Sequence, residues 1–319
     1  MNELSSYSLV ADIGGTNARF ALVNNTREGL VQVRQYDVKK YKGLLESIEA
    51  YFSDIGGIKP QNGCLAIAAP VSGDDIVLTN SHWRFSLEQT QASLGMERLL
   101  AVNDFEAIAL SIPTLSKNDV HEVIRGESVA SAPKLVIGPG TGLGVSALIE
   151  QAEHSYVLKG EGGHVAFAAM TEKEQAVSGI LARKYGRVTA EQILSGPGIL
   201  YIYNALVEIS GAFPEYDSPE QIYNAAMNKS CQVSRDVMRF FLDALGSFCG
   251  DLALAFGAKG GVVLAGGIVP RFLEHIDESS FRQRFKDKGR MTGFVKGIPA
   301  HVIINPLVGL VGAAECLKR

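Results

Sequence analysis

The chain has 319 residues, 46% hydrophobic and 20% charged, and its 30 basic residues face 34 acidic ones for a net charge of -4. That length is about twice the ~150-residue prior for one domain and carries ample apolar material for buried cores, so a small disulfide scaffold and wholesale disorder are excluded. The charges are interspersed, leaving no basic footprint for nucleic acid or an anionic membrane, and no uncharged apolar run reaches the ~18 residues of a membrane span.

Four scattered cysteines, Cys64, Cys231, Cys249 and Cys316, form no C-x-x-C pair and no Cys/His cluster of zinc spacing. They suit a reducing compartment, and the polar start MNELSSYS lacks the order of a signal peptide, so a cytoplasmic location is expected. The 34 glycines are clustered, which marks places where backbone must approach something closely.

In chain order, Ser8 to Asn24 reads as two apolar runs around a tight Gly-Gly turn, a β-hairpin signal centred on DIGGT, Asp12 to Thr16. Gly63 to Asn80 supplies a buried strand and a second extended segment. Ser86 and Gln89 have capping-box spacing for a helix running to about Gly95. Leu99 to Asn103 is a strand, followed by an apolar helix that opens at Asn103-Asp104 and stops at Pro113. LVIGPGTGLGVSALI (Leu135 to Ile149) then overlays LVADIGGTNARFALV (Leu9 to Val23) at an offset of 126 residues with five identities. An internal repeat one domain long is the favoured reading, with a chance match of short hairpins as its alternative. Thr189 and Gln192 repeat the capping-box spacing, and Ser195-Gly-Pro197 opens a further helix. From Val233 to Phe256, Val237, Phe241, Leu245, Phe248 and Leu252 recur every three or four residues, a long packed helix that Gly260 and Gly261 end. GVVLAGGIVP gives a buried strand and a third glycine turn, and HVIIN a last strand before a terminal helix from near Pro306. Strands alternating with helices imply an α/β protein with largely parallel sheets, and the repeat places a domain boundary near residue 110.

The glycines restrict the phosphate chemistry. Gly138, Gly140, Gly142 and Gly144 fit G-x-G-x-x-G in no register, since Leu143 and Val145 occupy the required third positions, and neither G-x-x-x-x-G-K-[ST] nor a His-Arg-Asp loop occurs. What remains is a pair of strand-turn-strand loops, DIGGT and GPGTG, whose amides and threonine hydroxyls can clasp a polyphosphate. Either loop alone reads better as a bare hairpin turn, and the pair does not. The third turn, AGGIVPR (Ala265 to Arg271), favours a nucleotide, because it follows a buried strand where a nucleoside can lie.

DIGGTNAR, TNSHW, NDFEA, GPGTGLGV, GEGGHV, LSGPG and GGVVLAGGIVPRF, in this order and at these intervals, resemble the bacterial glucokinase family of the actin/hexokinase/chaperone-like superfold. The likeness covers nearly the whole chain. It implies two RNase H-like α/β lobes, the actin/hexokinase-type ATPase fold, around a central cleft. Residues 1–110 with the C-terminal helix 305–319 would form the small lobe and 111–304 the large one. ATP with Mg²⁺ and glucose would bind there, giving glucose 6-phosphate and ADP for glycolysis, and a homodimer is the expected assembly. Ala11 and Pro139 depart from the residues usual in the family. The cysteine-rich zinc motif of the related repressor/kinase group is absent, so the chain resembles the zinc-free branch.

The resemblance assigns roles residue by residue. Asp104, expected to be kept ionised by a helix N-terminus, resembles the catalytic base; a helix N-cap is the plainer use of such an aspartate. Asn80, Asn103, Glu161, His164, Glu191 and the backbone of Gly142 resemble sugar contacts, although Glu191 also suits a helix first turn and His164 a buried imidazole. Ala11, Asp12, Ile13, Gly14, Gly15, Thr16, Gly140, Thr141, Gly266 and Gly267 resemble the nucleotide contacts, with Asp12 holding Mg²⁺ through water or, more plainly, forming a turn. An actin- or chaperone-like ATPase and a sugar-sensing repressor are the competing classes. The sugar-binding carboxylates argue against the first, and the lack of room for a helix-turn-helix before the first hairpin argues against the second. Trp83, the only tryptophan, lies three residues beyond Asn80 and is expected to respond to glucose unless it anchors the core.

Overall fold

The structure, a computed structural model, describes residues 7–24, 29–78, 80–151 and 154–319. Contacts divide it into two compact units, one formed by the chain up to Ser116 together with Asn305–Arg319, the other by Lys117–Ile304.

In the first unit, β1 (Tyr7–Ile13), β2 (Asn17–Asn24) and β3 (Leu30–Asp37) form an antiparallel meander. Helix α1 (Leu44–Asp54) leads to β4 (Asn62–Ile67), which pairs with β1 in parallel. A small hairpin, β5 (Asp75–Val77) with β6 (Arg84–Ser86), and helix α2 (Leu87–Leu94) precede β7 (Arg98–Asn103), which pairs with β4 in parallel and runs directly into α3 (Asp104–Ser111). The sheet order is β3-β2-β1-β4-β7. Ser86 caps α2 as its spacing predicts, its hydroxyl accepting from the Gln89 amide at 3.0 Å.

The second unit opens with β8 (Val120–Ile124) and repeats the meander with β9 (Lys134–Pro139), β10 (Leu143–Gln151) and β11 (His154–Gly160). Helices α4 (Glu172–Tyr185), α5 (Gly196–Ser210), α6 (Pro219–Met227) and α7 (Gln232–Phe256) follow, then β12 (Gly261–Leu264) in parallel beside β9. Three short helices, α8 (Leu273–Ile276), α9 (Phe281–Lys286) and α10 (Thr292–Val295), lead to β13 (Ala300–Ile303), parallel to β12, and α11 (Val308–Leu317) returns to the first unit.

The second sheet reads β11-β10-β9-β12-β13-β8, so both units share one plan: an antiparallel triplet extended by two parallel strands. The repeat is therefore carried by topology, with one correction to its alignment. Ile13 pairs with Ala18 but Pro139 with Leu143, so the second turn is one residue shorter. The ungapped overlay thus places β10 one residue out of step with β2, and the Ala21/Ala147 and Leu22/Leu148 identities are not equivalent positions.

Two local expectations need correcting. The Thr189–Gln192 pair does bond reciprocally, the Thr189 amide to Gln192 Oε1 at 2.9 Å and the Gln192 amide to Thr189 Oγ1 at 3.3 Å, but it closes an isolated turn; the helix starts only after Ser195. The full capping box lies instead at Thr171 and Glu174, opening α4. Helix α7 ends at Gly257, which takes the left-handed φ of 61° that an L side chain resists, and not at Gly260 and Gly261.

Strand alternation sorts the side chains of β1. Leu9, Ala11 and Ile13 enter the core of the first unit with Phe20, Tyr51 and Trp83, while Asp12 projects from the opposite face toward α11. Trp83 is 1% exposed and its Nε1 donates to the Tyr41 carbonyl at 3.2 Å. It is a core anchor, and the expectation that it responds to sugar is withdrawn.

Helix α11 lies against α3 with almost no space between them: a Cβ on Gly312 would stand 1.9 Å from the Ala107 carbonyl oxygen. Replacing Gly312 by alanine forces the two helices apart. We expect Gly312→Ala to cost about 1–3 kcal/mol, as overpacking does, read as a lower urea midpoint with an unchanged slope. An unchanged midpoint would mean the helices yield freely.

Candidate active site

Parallel strands in α/β sheets present their carboxyl ends to ligands, and Asp12 to Thr16, Asn103 and Asp104 in the first unit and Gly140, Thr141, Gly266 and Gly267 in the second lie at such ends, while Asn80, Glu161, His164 and Glu191 come from loops. In the first unit β1, β4 and β7 finish together. The Ala68 amide donates to the Ile13 carbonyl at 2.9 Å, and Asn103 Nδ2 donates to the Ala69 carbonyl at 3.2 Å, which ties the three strand ends into one edge.

The turn after β1 is tipped by Gly15 and Thr16, with the Gly14 amide donating to the Asn17 carbonyl at 2.9 Å. Neither Gly14 nor Gly15 has a positive φ, so dihedral freedom is not the reason for glycine there. Proximity explains Gly15: a Cβ on it would lie 2.7 Å from the Asn80 carbonyl oxygen. Asn80 is thus backed against this turn, with Thr16 exposed at its tip. Ala11 and Ile13 are fully buried, so their side chains cannot touch a nucleotide; any contact from these two positions comes through backbone.

Asp12 sits directly opposite Arg19 in the hairpin register, and Arg19 Nη1 approaches Asp12 Oδ2 to 3.4 Å. Arg19 Nε is fixed in turn by Gln35 Oε1 at 3.0 Å, and Gln35 by Asn17. On its other side Asp12 meets the first turn of α11, where a Cβ on Gly309 would stand 2.7 Å from the Asp12 carboxyl carbon. Burial pushes the Asp12 carboxyl upward from the usual range, and Arg19 opposes the shift. Arg19 and Gly309 were not selected from the sequence. Arg19 was legible from the hairpin register, but Gly309 lies nearly 300 residues from Asp12 and left no local signal.

Asn103, and not Asp104, is the N-cap of α3: its Oδ1 accepts from the Phe105 amide at 2.9 Å and the Glu106 amide at 3.4 Å. Asp104 is the first helical residue, free of the capping duty, with one oxygen accepting the Phe105 amide at 2.9 Å. Its carboxyl is not held in the ordinary ionised range. Burial, and then the Asp12 charge beside it, raise it to about 7 against the opposing hydrogen bonds of the helix start. Desolvation outweighs the helix terminus here.

In the second unit β9 and β12 finish side by side, the Ala265 amide donating to the Ile137 carbonyl at 2.8 Å. Gly266 adopts a φ of +84°, and a Cβ on it would stand 2.4 Å from the Pro139 carbonyl oxygen. The AGG turn thus lies against the start of the GPGTG turn, with Thr141, Gly266 and Gly267 exposed. Glu191 lies beneath that turn, and the Leu143 amide donates to Glu191 Oε2 at 2.9 Å. His164 stands between two carboxylates, 3.9 Å from Glu191 Oε1 and 4.0 Å from Glu161 Oε2. His164 and Glu161 are more than half exposed, which excludes the buried-imidazole reading, and Glu191 opens no helix. The structure therefore assembles Glu161, His164, Glu191, Gly140, Thr141, Gly142, Gly266 and Gly267 in one unit, and Asp12, Gly14, Gly15, Thr16, Asn80, Asn103 and Asp104 in the other.

Among the described residues no three His, Cys, Asp or Glu side chains are placed to hold a metal ion, and no helix is long and apolar enough to cross a membrane. Mg²⁺ needs no such cage, since it keeps several waters and takes one or two carboxylates with substrate phosphates. Asp12, partly exposed and penalised for its charge by burial, fits that use.

The glucokinase family model matches residues 9–319. The chain belongs to the glucokinase family. It is 42% identical over 99% of its length to the glucokinase of Hahella chejuensis and 40% identical over 99% to that of Photorhabdus laumondii, covering 98% of each relative. The crystal structure of a glucokinase from an Antarctic psychrotroph matches with a TM-score of 0.88 at 36% identity, over 98% of this chain and 99% of that one. Full-length agreement with sugar kinases sets aside the actin-like and repressor readings.

A raised carboxyl has a signed effect on stability. The folded protein holds the Asp104 proton to higher pH than the unfolded chain, so this group makes stability fall as pH rises from about 4 through about 7. Asp104→Asn is expected to raise Tm at pH 8 and leave it little changed at pH 4. In carbon-detected NMR, Asp104 should titrate near pH 7, with a lower midpoint in Asp12→Asn; titration near pH 4 would refute the desolvation account.

Proposed function

We propose that the chain transfers the γ-phosphoryl group of ATP to the 6-hydroxyl of D-glucose, giving glucose 6-phosphate and ADP. The observation that carries the reading is Asp104: a carboxylate at a strand end, relieved of capping by Asn103 and poised at about 7, where a general base works best at neutral pH.

In this reading Asp104 accepts the 6-hydroxyl proton as that oxygen bonds to the γ-phosphorus and the bond to the ADP oxygen breaks. Asn103, Glu161, His164 and Glu191 take the remaining sugar hydroxyls, with Asn80 and the Gly142 backbone adding contacts. Their acceptor-rich chemistry suits a polyol, and the exposure of Glu161 and His164 leaves them available. The amides of Gly15 and Gly142, with the hydroxyls of Thr16 and Thr141, cradle the polyphosphate; the Gly14 and Gly140 amides close their own turns by donating to the Asn17 and Gly142 carbonyls and shape the loops instead, and Gly266-Gly267 take the nucleoside face. Asp12 would hold Mg²⁺ through water, and the ion would neutralise charge on the phosphates. Positioning and electrostatics are most of what phosphoryl transfer asks of a protein, and this set of residues supplies both.

A homodimer in the cytoplasm completes the proposal. Tyr156 and Leu158, 56% and 45% exposed on the edge strand β11, offer apolar surface to a second copy.

The test is ADP release in a coupled assay, which should require glucose. Asp104→Asn should lose ~10²–10⁴ in kcat with far less change in glucose affinity, since Asn keeps the shape and one acceptor. More than a tenth of wild-type kcat in that variant would refute the base assignment. Thr141→Val should raise the KM for ATP and leave glucose binding without nucleotide unaltered.

A further inference from the structure

The second unit contains a link between its two sets of residues that the proposed roles do not require. Glu191 belongs with the sugar contacts, yet its Oε2 accepts the amide of Leu143, the residue that ends the GPGTG turn, at 2.9 Å. The backbone beneath it is fixed as well. The Glu191 amide donates to the Gly163 carbonyl at 2.9 Å, and the Thr189–Gln192 pair closes the turn on which Glu191 sits. Five residues on, the Gly196 amide donates to the Gly140 carbonyl at 2.8 Å. One short segment, 189–196, therefore clamps the phosphate turn at both ends, at Gly140 through backbone and at Leu143 through a carboxylate.

Gly142 shows how closely that carboxylate is seated. A Cβ there would stand 2.6 Å from Glu191 Oε2 and 3.4 Å from its carboxyl carbon, and it would meet nothing else within 4 Å. Its φ is not positive, so backbone conformation makes no demand for glycine. Space for Glu191 is the only steric use of the missing side chain. The second oxygen, Oε1, makes no such bond to the turn and faces His164 at 3.9 Å.

We propose that Glu191 is a positioning residue that couples the sugar to the nucleotide: one carboxylate oxygen orients the polyphosphate turn while the other binds a glucose hydroxyl. The inference rests on the function proposed above. A carboxylate is planar and rigid, so a sugar that fixes Oε1 also fixes Oε2 and, with it, the Leu143 amide. Glucose thereby orders the turn that ATP uses, and ATP bound on the turn holds Glu191 ready for glucose. Such a coupling is reciprocal, and the same factor must appear whichever ligand is added first.

Calorimetry measures it. Glucose is titrated into the protein alone and into protein saturated with Mg²⁺ and a non-hydrolysable ATP analogue, and the analogue is titrated with and without glucose. The wild type should show mutual tightening of about 5-fold or more, within the usual range for coupled sites. Gly142→Ala, whose methyl displaces the carboxylate from the Leu143 amide, should reduce that factor to near 1 while still binding glucose alone. Glu191→Ala should lose it too, and it keeps the test open should Gly142→Ala fold poorly. Glu161→Gln, which touches no part of the turn, should weaken glucose equally with and without the analogue and so retain the full factor. Independent binding in the wild type, or full tightening in both Gly142→Ala and Glu191→Ala, would overturn the coupling. A wild type that binds no glucose at all would instead overturn the proposed function.

Discussion

Two carboxylates, Asp12 and Asp104, share the carboxyl edge of one sheet, and much of the first unit is arranged around keeping them there. Each is raised by burial, and the charge of Asp12 raises Asp104 further. Like charges in a poorly hydrated edge are unfavourable, and the fold offsets them with donors already fixed for other reasons. Arg19 comes from the same hairpin, the Phe105 amide from the start of α3, and Asn103 satisfies the helix start so that Asp104 need not. A pair of this kind stores unfavourable free energy at the carboxylate to which the proposed function gives the role of base, a common division of labour between stability and activity.

Close approach is the second constraint. Gly15 admits Asn80, Gly309 admits Asp12, Gly312 admits α3, and Gly142 admits Glu191. None of these four has a positive φ. They are spacing residues, and each brings a polar group or a helix nearer to the strand ends than any side chain would allow. This explains why glycine is abundant in a chain whose turns need the left-handed region at only some positions.

The hairpins, the alternating strands and helices, the long α7 and the cluster at Asn103-Asp104 were legible because each is written in local spacing. Legibility failed where the deciding partner is remote. The ionisation of Asp104 was misjudged because a helix start is visible in sequence, whereas burial and the neighbouring Asp12 come from other strands. Thr189 and Gln192 carry the right letters for a helix cap, but the chain turns away toward Ser195, and the bonds close a turn that seats Glu191 instead. Trp83 lies near Asn80 in sequence, yet its ring is drawn inward by the first-unit core and the Tyr41 carbonyl. The family resemblance supplied what spacing could not, namely which isolated Glu and His residues belong to one site.

The repeated plan also shows how the two units differ at the same place in their sheets. In β1 the pair facing each other across the hairpin is Asp12 and Arg19; at the corresponding place in β9 and β10 it is Gly138 and Gly144. Where the first hairpin holds a charged pair, the second holds no side chains at all. Beside it the third glycine turn lies close, a Cβ on Gly266 standing 2.4 Å from the Pro139 carbonyl oxygen. The same edge thus occurs twice, with different side chains on it. The first edge kept charge, which suits a base and a cation. The second has backbone there in place of charge, which is the arrangement the proposed nucleotide contacts require, and its carboxylates Glu161 and Glu191 come from the loops after β11 and before α5.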